Sequence, residues 1–555
     1  MRRKSFVIII LLAMVALTAH SQPAAVKNVA KSVFALSTFR ADGSLLATSH
    51  GVFVGSDGEA VSDLKPFLGA ASAVVTDQKG RKMAVTHLTG IDAIYDAALF
   101  RVDAKTTPAP LATKQPAGTK AWVVGYSTKN SSVVETAVKT TEDFMEQYAY
   151  YIFGFSAPDD MLACPVVNQD GQVMGLLQVS TTSFDAHAAD TRYATTLRLN
   201  ALSYNDPNVQ QIGIPIDLPA DLQQAQLALM MAQQTGDSLK YNVAVDDFVR
   251  QFPTQTDGYV ARARQQVSHS LLTQAEATMQ DALKNCGNKA EAHYEFARLI
   301  YDYATLVPNV TEEKWTLAAA ADETRQAIAT DAQPAYSHLL GQVLFAQGNY
   351  SEALNTFQTL NEKSSFANGE LLYEQARCKS MMQAPPQEVI DLLNQAISAT
   401  DTLHIESAAP YFLARAAAYE QVDSFRLAAF DYTRYEILMR GRVSAQFYFV
   451  RSQAEMKGHL YQHALSDMVR AIALEPDEPA YYAELAQQQL RVNKPELALQ
   501  TAQKCTEVDP AYPEGWLLLG LAQIRNGQKE QGLDAFRKAK ELGSEQADAL
   551  IAKYQ

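Results

Sequence analysis

The carboxyl-terminal part of this 555-residue chain repeats itself at a fixed interval. Three consecutive windows of equal length, 445–478, 479–512 and 513–546, carry matching residue types at matching positions. An aromatic residue stands fourth in each window, and small residues stand eighth, twentieth and twenty-seventh. Two antiparallel helices can approach closely only where the facing side chains are small. The spacing therefore predicts helix pairs stacked in series.

These windows resemble the tetratricopeptide repeat, whose period is about 34 residues. A window that begins at Pro334 has Gly341, Ala353 and Phe357 at the same offsets. Looser helix pairs are predicted for residues 221–252, 256–287, 290–330, 366–400 and 408–442. The resemblance implies an all-α solenoid over residues 221–555, with 545–555 as a C-terminal capping helix.

The amino-terminal part follows a different period. Between residues 26 and 199, short stretches such as "SVFALSTF", "AALFRVD" and "KAWVVGYS" read as strands, several of them joined by Asp-Gly or Lys-Gly turns. Many short strands with little helix indicate a β-barrel or a β-sandwich. Three prolines then interrupt the pattern, so residues 204–220 are predicted to be a linker between a domain at 22–203 and the solenoid.

Several of these stretches resemble HtrA-type trypsin-like serine peptidases. "SHGVFVGSDGEAVSD" at 49–63 is similar to the segment that leads to the family's histidine, and "DAIYDAALFRVD" at 92–103 to the segment around its aspartate. "PVVNQDGQVMGLL" at 165–177 is similar to the hairpin that follows the family's serine. The resemblance implies an all-β trypsin-like double barrel.

The same resemblance places Lys65 at the position of the catalytic histidine, Asp96 at the aspartate and Leu162 at the serine. Ala163 and Cys164 stand where the family has two glycines. Serine catalysis needs a hydroxyl beside a base that titrates near neutral pH. Leucine has no nucleophilic atom, and lysine is ordinarily protonated at neutral pH. We therefore expect a degenerate triad, no catalytic residue and no peptidase activity.

An active serine endopeptidase, with the repeats selecting substrates or partners, is the alternative function. Its candidate groups are Ser156 with His50 or His87 as the base, a Ser62–Lys65 dyad, and the thiol of Cys164. A packed thiol before a proline is the simpler reading of that cysteine.

The repeats offer a second kind of site, because the first helix of each pair in such solenoids faces a concave groove that receives proteins or peptides. From the inward positions we predict a mixed apolar and amide groove, formed by Phe449, Gln453, Met456, Gln487, Leu490, Leu517, Leu521 and Ile524. Lys457, Arg491 and Arg525 recur at the thirteenth position. They are suited either to an acidic partner segment or to stabilising the helix carboxyl terminus, which favours cations.

Composition narrows the remaining possibilities. The net charge of -14 gives no electrostatic basis for binding nucleic acid. Cys164, Cys286, Cys378 and Cys505 are far apart, so no zinc site, metal or other cofactor is expected, and the thiols are either buried singly or paired. The basic start, the apolar run at 6–17 and "AHS" predict a signal peptide over residues 1–21, although an uncleaved anchor is the alternative. No later segment is long and apolar enough to span a membrane.

Together these features predict an exported scaffold for protein–protein interaction, with an inactive trypsin-like domain and a solenoid that binds a protein or peptide. The expected location is the periplasm or the outer cell envelope, or outside the cell.

Overall fold

The computed structural model describes residues 22–129, 131–179, 184–307, 313–362 and 368–555. The predicted signal peptide therefore lies outside the described residues. The chain divides into two compact units, one ending at Asn288 and the other beginning at Lys289. The first unit contains the strands together with the early helices, and the second is helical.

The strands of the first unit form two closed barrels with the same strand order. The first barrel is ordered β1-β2-β3-β6-β5-β4, the second is ordered β7-β8-β9-β12-β11-β10, and all neighbouring strands are antiparallel. The strands are β1 (Val33–Phe39), β2 (Leu45–Phe53), β3 (Glu59–Ser62), β4 (Ser72–Thr76), β5 (Lys82–Asp92), β6 (Ala97–Val102), β7 (Lys120–Val124), β8 (Val133–Phe144), β9 (Tyr148–Phe153), β10 (Pro165–Val167), β11 (Val173–Val179) and β12 (Ala186–Asp190). The predicted double barrel is confirmed.

Aromatic residues fill the first barrel, and a separate apolar cluster joins it to the second. Phe34, Phe67 and Phe100 are fully buried in the first barrel, where Phe100 meets the Phe34 ring edge-on and the Phe67 ring at a tilt. Val52 of β2 and Trp122 of β7 belong to the cluster shared by the two barrels. The shared cluster holds the facing strands of the two barrels together, and both contribute to the site described below.

The predicted linker at 204–220 is packed onto the first barrel. Ile212, Ile214 and Ile216 are buried in the core of that barrel, and Ile216 forms a parallel bridge with Leu88 of β5. Phe248, from the first helix pair, is fully buried in the same core. The boundary between compact units consequently falls at residue 288 rather than within 204–220.

The helices are α1 (Ala24–Val29), α2 (Thr191–Ala194), α3 (Pro207–Gln211), α4 (Leu222–Gln234), α5 (Ser238–Gln251), α6 (Thr256–Ser268), α7 (Leu272–Asn285), α8 (Lys289–Leu306), α9 (Leu317–Thr330), α10 (Pro334–Ala346), α11 (Tyr350–Glu362), α12 (Gly369–Met381), α13 (Pro386–Ser398), α14 (Ala409–Gln421), α15 (Phe425–Leu438), α16 (Ala445–Lys457), α17 (Tyr461–Leu474), α18 (Pro479–Arg491), α19 (Pro495–Val508), α20 (Pro513–Arg525), α21 (Lys529–Glu541) and α22 (Ala547–Tyr554). Helices α4 to α21 occupy the predicted pairs, whereas α1, α2, α3 and α22 lie outside them. The all-α repeat region is confirmed.

The small residues of the repeat have a direct structural cause. A Cβ atom on Gly520 would lie 2.5 Å from the ring of Phe536, and one on Gly341 would lie 2.4 Å from the ring of Phe357. In each pair the aromatic ring of the second helix thus packs over a glycine of the first. Within the described residues, no helix combines the length and apolarity needed to cross a membrane, and no group of three or more His, Cys, Asp or Glu side chains is placed to hold a metal ion.

Candidate functional site

Two of the three predicted triad positions meet on the first barrel. Lys65 begins a 3-10 turn, Lys65–Phe67, directly after β3. Its Nζ atom lies 3.1 Å from Oδ2 of Asp96, while the backbone N–H groups of Leu64 and Lys65 donate to Oδ1 of Asp96 at 3.0 Å. The Lys65 side chain is 79% exposed, so this ion pair contributes little to stability. The carboxylate of Asp96 holds the turn through its two backbone hydrogen bonds.

The third position, Leu162, lies in the second barrel and is linked to the first by His50 of β2. The Nδ1–H group of His50 donates to the carbonyl oxygen of Leu162 at 3.0 Å. Ala163 adopts a φ of 58°, in the left-handed region that glycine favours, at a position where the resembled family has glycine. Its N–H donates to Leu177, and the N–H of Cys164 donates to Met161. The backbone therefore adopts a turn at Ala163, and the side chain at the start of this turn, that of Leu162, is aliphatic.

A buried polar cluster lies between these positions. Ser62 Oγ is 2.5 Å from the carbonyl oxygen of His50 and 2.9 Å from Oδ1 of Asp63, to which Ser49 Oγ also donates at 2.6 Å. Burial raises the pKa of Asp63, whose remaining charge is stabilised by the two serine hydroxyls. Ser62 is fully buried, whereas Lys65 is directed to Asp96. The predicted Ser62–Lys65 dyad is not assembled in this arrangement.

The other candidate catalytic groups are dispersed. His87 Nε2 lies 2.9 Å from Asp247 Oδ2 in α5, so this ring joins the first barrel to the first helix pair. Ser156 is exposed and has no hydrogen-bond partner among the described residues. Burial raises the pKa of Cys164 to about 12, which suppresses the thiolate that nucleophilic attack requires. His50 contacts the turn at Leu162, and its Nδ1–H is engaged by the Leu162 carbonyl.

The predicted groove residues separate into two sets. Gln453, Met456 and Gln487 line a cavity of about 310 Å³ between α16 and α18, together with Lys457, Glu484, Gln488 and Arg491. Beside this cavity, the rings of Phe449 and Tyr481 are 5.7 Å apart, and Leu490 is partly buried. The structure thus brings predicted amide and apolar residues into one site. It also places two of the recurring cations, Lys457 and Arg491, on the cavity wall.

Leu517, Leu521 and Ile524 occupy a different environment. They pack in an apolar cluster with Phe536 of α21 and with side chains of α22. Helix α22 therefore covers an apolar surface of the α20–α21 pair. These three side chains take part in the core of that pair.

Gln488, which was not predicted from the sequence, is 2% exposed at the cavity between α16 and α18. Its Nε2 donates to Ser452 Oγ at 3.1 Å and to Glu484 Oε1 at 3.0 Å, while its Oε1 has no hydrogen-bond partner. The run "QQQ" at 487–489 was the available signal. A buried amide oxygen of this kind accepts a donor from a ligand or from water at little cost.

A second cavity, of about 290 Å³, was also missed. It opens between the first helices α10, α12 and α14 and is lined mainly by small and apolar side chains: Phe345, Ala376, Arg377, Ser380, Met381, Val389, Leu393, Ala414, Ala417, Ala418 and Gln421. The guanidinium of Arg377 lies 4.2 Å from the centre of the Phe345 ring and donates to Glu374 at 2.9 Å. Arg377 is therefore held at the wall of the cavity.

Buried ion pairs join the two helices of successive pairs. Arg415 in α14 donates to both carboxylate oxygens of Asp431 in α15, at 2.7 and 2.8 Å. Arg451 in α16 makes the same bidentate contact with Asp467 in α17, at 2.5 and 3.0 Å, and also donates to Glu436. Each aspartate lies 16 residues after its arginine. These contacts fix how the first helix packs on the second in the α14–α15 and α16–α17 pairs.

Glu455 is the exception in this charged cluster. Its carboxylate is buried 3.9 Å from Arg451 Nε, and its Oε2 has no hydrogen-bond partner. Burial, reinforced by the negative charge of Asp467, raises the pKa of Glu455 to about 8. At neutral pH this side chain is mostly protonated and adds little negative charge beside Asp467.

No family model matches this chain. Among curated proteins, the small glutamine-rich tetratricopeptide repeat-containing protein 2 of Saccharomyces cerevisiae is 27% identical over 96 residues, which are 17% of this chain and 28% of that protein. The matched stretch covers less than two thirds of this relative. The similarity agrees with the helix-pair repeats.

Proposed function

We propose that this protein is an exported interaction scaffold whose helical repeats bind a protein or peptide, and whose double barrel is a non-catalytic relative of HtrA-type peptidases. The observation that carries the proposal is the cavity between α16 and α18, where predicted groove residues converge with an unsatisfied buried amide. Concave, partly apolar sites with a few convergent polar groups are typical of binding sites.

The absence of catalysis follows from the side chains at the proposed triad positions. Leu162 cannot attack a carbonyl, and the Lys65 ammonium pairs with Asp96. Cys164 and Ser62 are buried within the barrels. The barrels then serve as a binding or structural domain.

Site-specific photo-crosslinking tests the scaffold proposal. A photoreactive amino acid replaces Gln487, which is exposed at the cavity, or Lys504, which is exposed on α19 as the matched control. After irradiation in envelope extract, the Gln487 protein is expected to form discrete adducts that the Lys504 protein does not form. Adducts at both positions alike, or at neither, would remove the support for a groove-binding scaffold.

The barrel and the export signal are tested separately. A fluorophosphonate probe is expected to leave the chain unlabelled, and labelling would instead favour the active endopeptidase. Cell fractionation is expected to recover the chain from the periplasm or envelope with residues 1–21 removed. Recovery of the intact amino terminus from the cytoplasm would contradict the proposed export.

A further inference from the structure

The two cavities of the second unit share one register along the repeats. Counted from the start of each first helix, Gln453 and Gln487 of the α16–α18 cavity are ninth, as are Arg377 and Ala417 of the α12–α14 cavity. The thirteenth positions also line both cavities, so the same end of successive first helices forms both. We call them the cationic pocket (α16–α18) and the apolar pocket (α12–α14).

The cationic pocket has charge and hydrogen-bonding capacity that the described chain leaves unused. Lys457 and Arg491 are exposed on its wall, which the carboxylate of Glu484 also lines, so the two cations outnumber the carboxylate there. Neither cation forms an ion pair with a described carboxylate. Lys457 rests against the ring of Phe425 at 5.1 Å. The orphan Oε1 of Gln488 can accept a hydrogen bond from a peptide N–H or from water. An acidic residue within a peptide chain supplies both a carboxylate for the cations and a backbone N–H for the amide.

The row of cations continues beyond the pocket. Arg525 occupies the thirteenth position of α20, is exposed, and likewise has no ion pair with a described carboxylate. Three such cations at one-repeat intervals stand out in a chain of net charge -14. A single terminal carboxylate would contact one cation of this row, whereas a stretch of several acidic residues can contact more than one. The charge pattern thus favours acidic side chains within a longer segment.

The apolar pocket has a floor of small side chains. Ala376, Ala414 and Ala418 leave space that Phe345, Val389 and Leu393 enclose. A large apolar side chain entering this space would bury its surface against them, and each square ångström removed from water contributes about 25 cal/mol. Arg377 is engaged with Glu374 and the Phe345 ring, so it does not fill the space.

The separation of the pockets gives the spacing of the ligand. Packed helices lie about 8–10 Å apart. The midpoint between α12 and α14 and the midpoint between α16 and α18 differ by two steps from one first helix to the next, which is roughly 20 Å. An extended chain advances about 3.3 Å per residue. A peptide lying along the first helices would therefore span the two pockets with about six residues.

We propose that the second unit binds an extended peptide segment in which an apolar side chain enters the apolar pocket and an acidic side chain, about six residues away, meets Lys457 and Arg491. This inference rests on the proposed scaffold function and assigns the chemistry of its partner. The segment belongs to the partner protein and is recognised by spacing and charge.

A peptide library tests the spacing. The probes are fluorescein-labelled dodecapeptides with one apolar residue and one acidic pair, whose separation and order vary, and their binding to the purified full chain is measured by fluorescence polarisation. We expect affinity to peak at a separation of about six residues. Replacement of the acidic pair by Asn or Lys should weaken binding on the order of tenfold or more, as loss of two charge contacts predicts. Amidated and free carboxyl termini should bind alike, because the carboxylate is that of a side chain.

Protein variants assign each end of the peptide. Lys457→Glu with Arg491→Glu should abolish the preference for acidic residues, while Lys504→Glu with Lys494→Glu, which changes net charge equally, should retain it. Ala417→Leu, at an exposed alanine of the apolar pocket, should remove the apolar preference and leave the acidic preference in place. Circular dichroism checks that each variant is folded.

The outcomes separate this inference from the scaffold proposal. Peptide binding that is indifferent to spacing, or unchanged by the Lys457 and Arg491 substitutions, overturns the inference. So does an absence of peptide binding while Gln487 still forms specific crosslinks in extract, although the scaffold function then stands. Failure of both measurements overturns both.

Discussion

Substitution of Glu455 by glutamine should change the pH dependence of stability in the α16–α17 pair. The buried carboxyl has a pKa of about 8, against an ordinary value of 4.5. Between these two values the folded chain keeps a proton that the unfolded chain has released. The free energy of unfolding therefore falls as pH rises, by about 1.4 kcal/mol per pH unit from this group alone.

The size of this loss of stability follows from the interval between the two pKa values of Glu455. From about pH 5 to about pH 8 the wild-type chain should lose up to about 4 kcal/mol of stability in this pair that the Glu455→Gln chain retains. Glutamine has nearly the same shape and no charge to lose. Near pH 5 the two proteins should therefore be almost equally stable, and above about pH 8 their difference should become constant.

Hydrogen exchange measured by mass spectrometry on peptides from residues 445–474 is the suitable assay, because it reports local stability within a repeat array. Wild type and variant are compared at the same pH, so intrinsic exchange rates cancel. Glu530→Gln, at an exposed position on α21, serves as the matched control. A Glu455→Gln difference that is the same at both ends of the pH range would refute the assigned burial and its charge state.

A chain ending at residue 203 should lack a cooperative thermal transition by circular dichroism, whereas one ending at 288 should melt cooperatively, because the first barrel shares its core with α4 and α5. Within the full chain, Phe248→Ala should lower the free energy of unfolding by about 3–5 kcal/mol in urea denaturation. Leu162→Ser alone should not react with a fluorophosphonate probe, since Lys65 remains paired with Asp96, and labelling of that variant would contradict the proposed loss of the base.

The repeat architecture could be predicted because its signal is steric. Positions such as Gly520 and Gly341 admit no side chain beneath the rings of Phe536 and Phe357, so the spacing of small and aromatic residues is visible in the sequence itself. The barrel strands joined by Asp-Gly or Lys-Gly could also be predicted, because these dipeptides fit the backbone of a tight hairpin turn.

Other elements carry no such signal. The hairpin β8–β9 turns at Met145 and Glu146, which adopt φ values of 45° and 61° although neither is glycine or asparagine. The prolines of 204–220 were interpreted as a linker, yet alternate isoleucines at 212, 214 and 216 pack into the barrel core. Prolines are compatible with such an edge segment. The alternating isoleucines therefore predict its packing on the barrel better than the prolines do.

The site was partly visible in the same way. Gln453, Met456 and Gln487 were predicted from repeat position alone, whereas Gln488 depends on which face of α18 meets Ser452. The buried Arg451–Asp467 pair was not foreseen because arginine is ordinarily expected at the surface. Charge pairing across a helix pair depends on tertiary contacts that composition does not reveal.

Both ends of the series of helix pairs are covered by other elements, so the number of pairs between them can change. The first pair is sealed against a barrel, and α22 closes the apolar surface of the last. Because each window starts at the same point of the helix pair, excision of 479–512 would join Glu478 to Pro513 and leave both ends intact. Gene duplications or deletions of one window can thus change the number of helix pairs by one without altering the packing at either covered end.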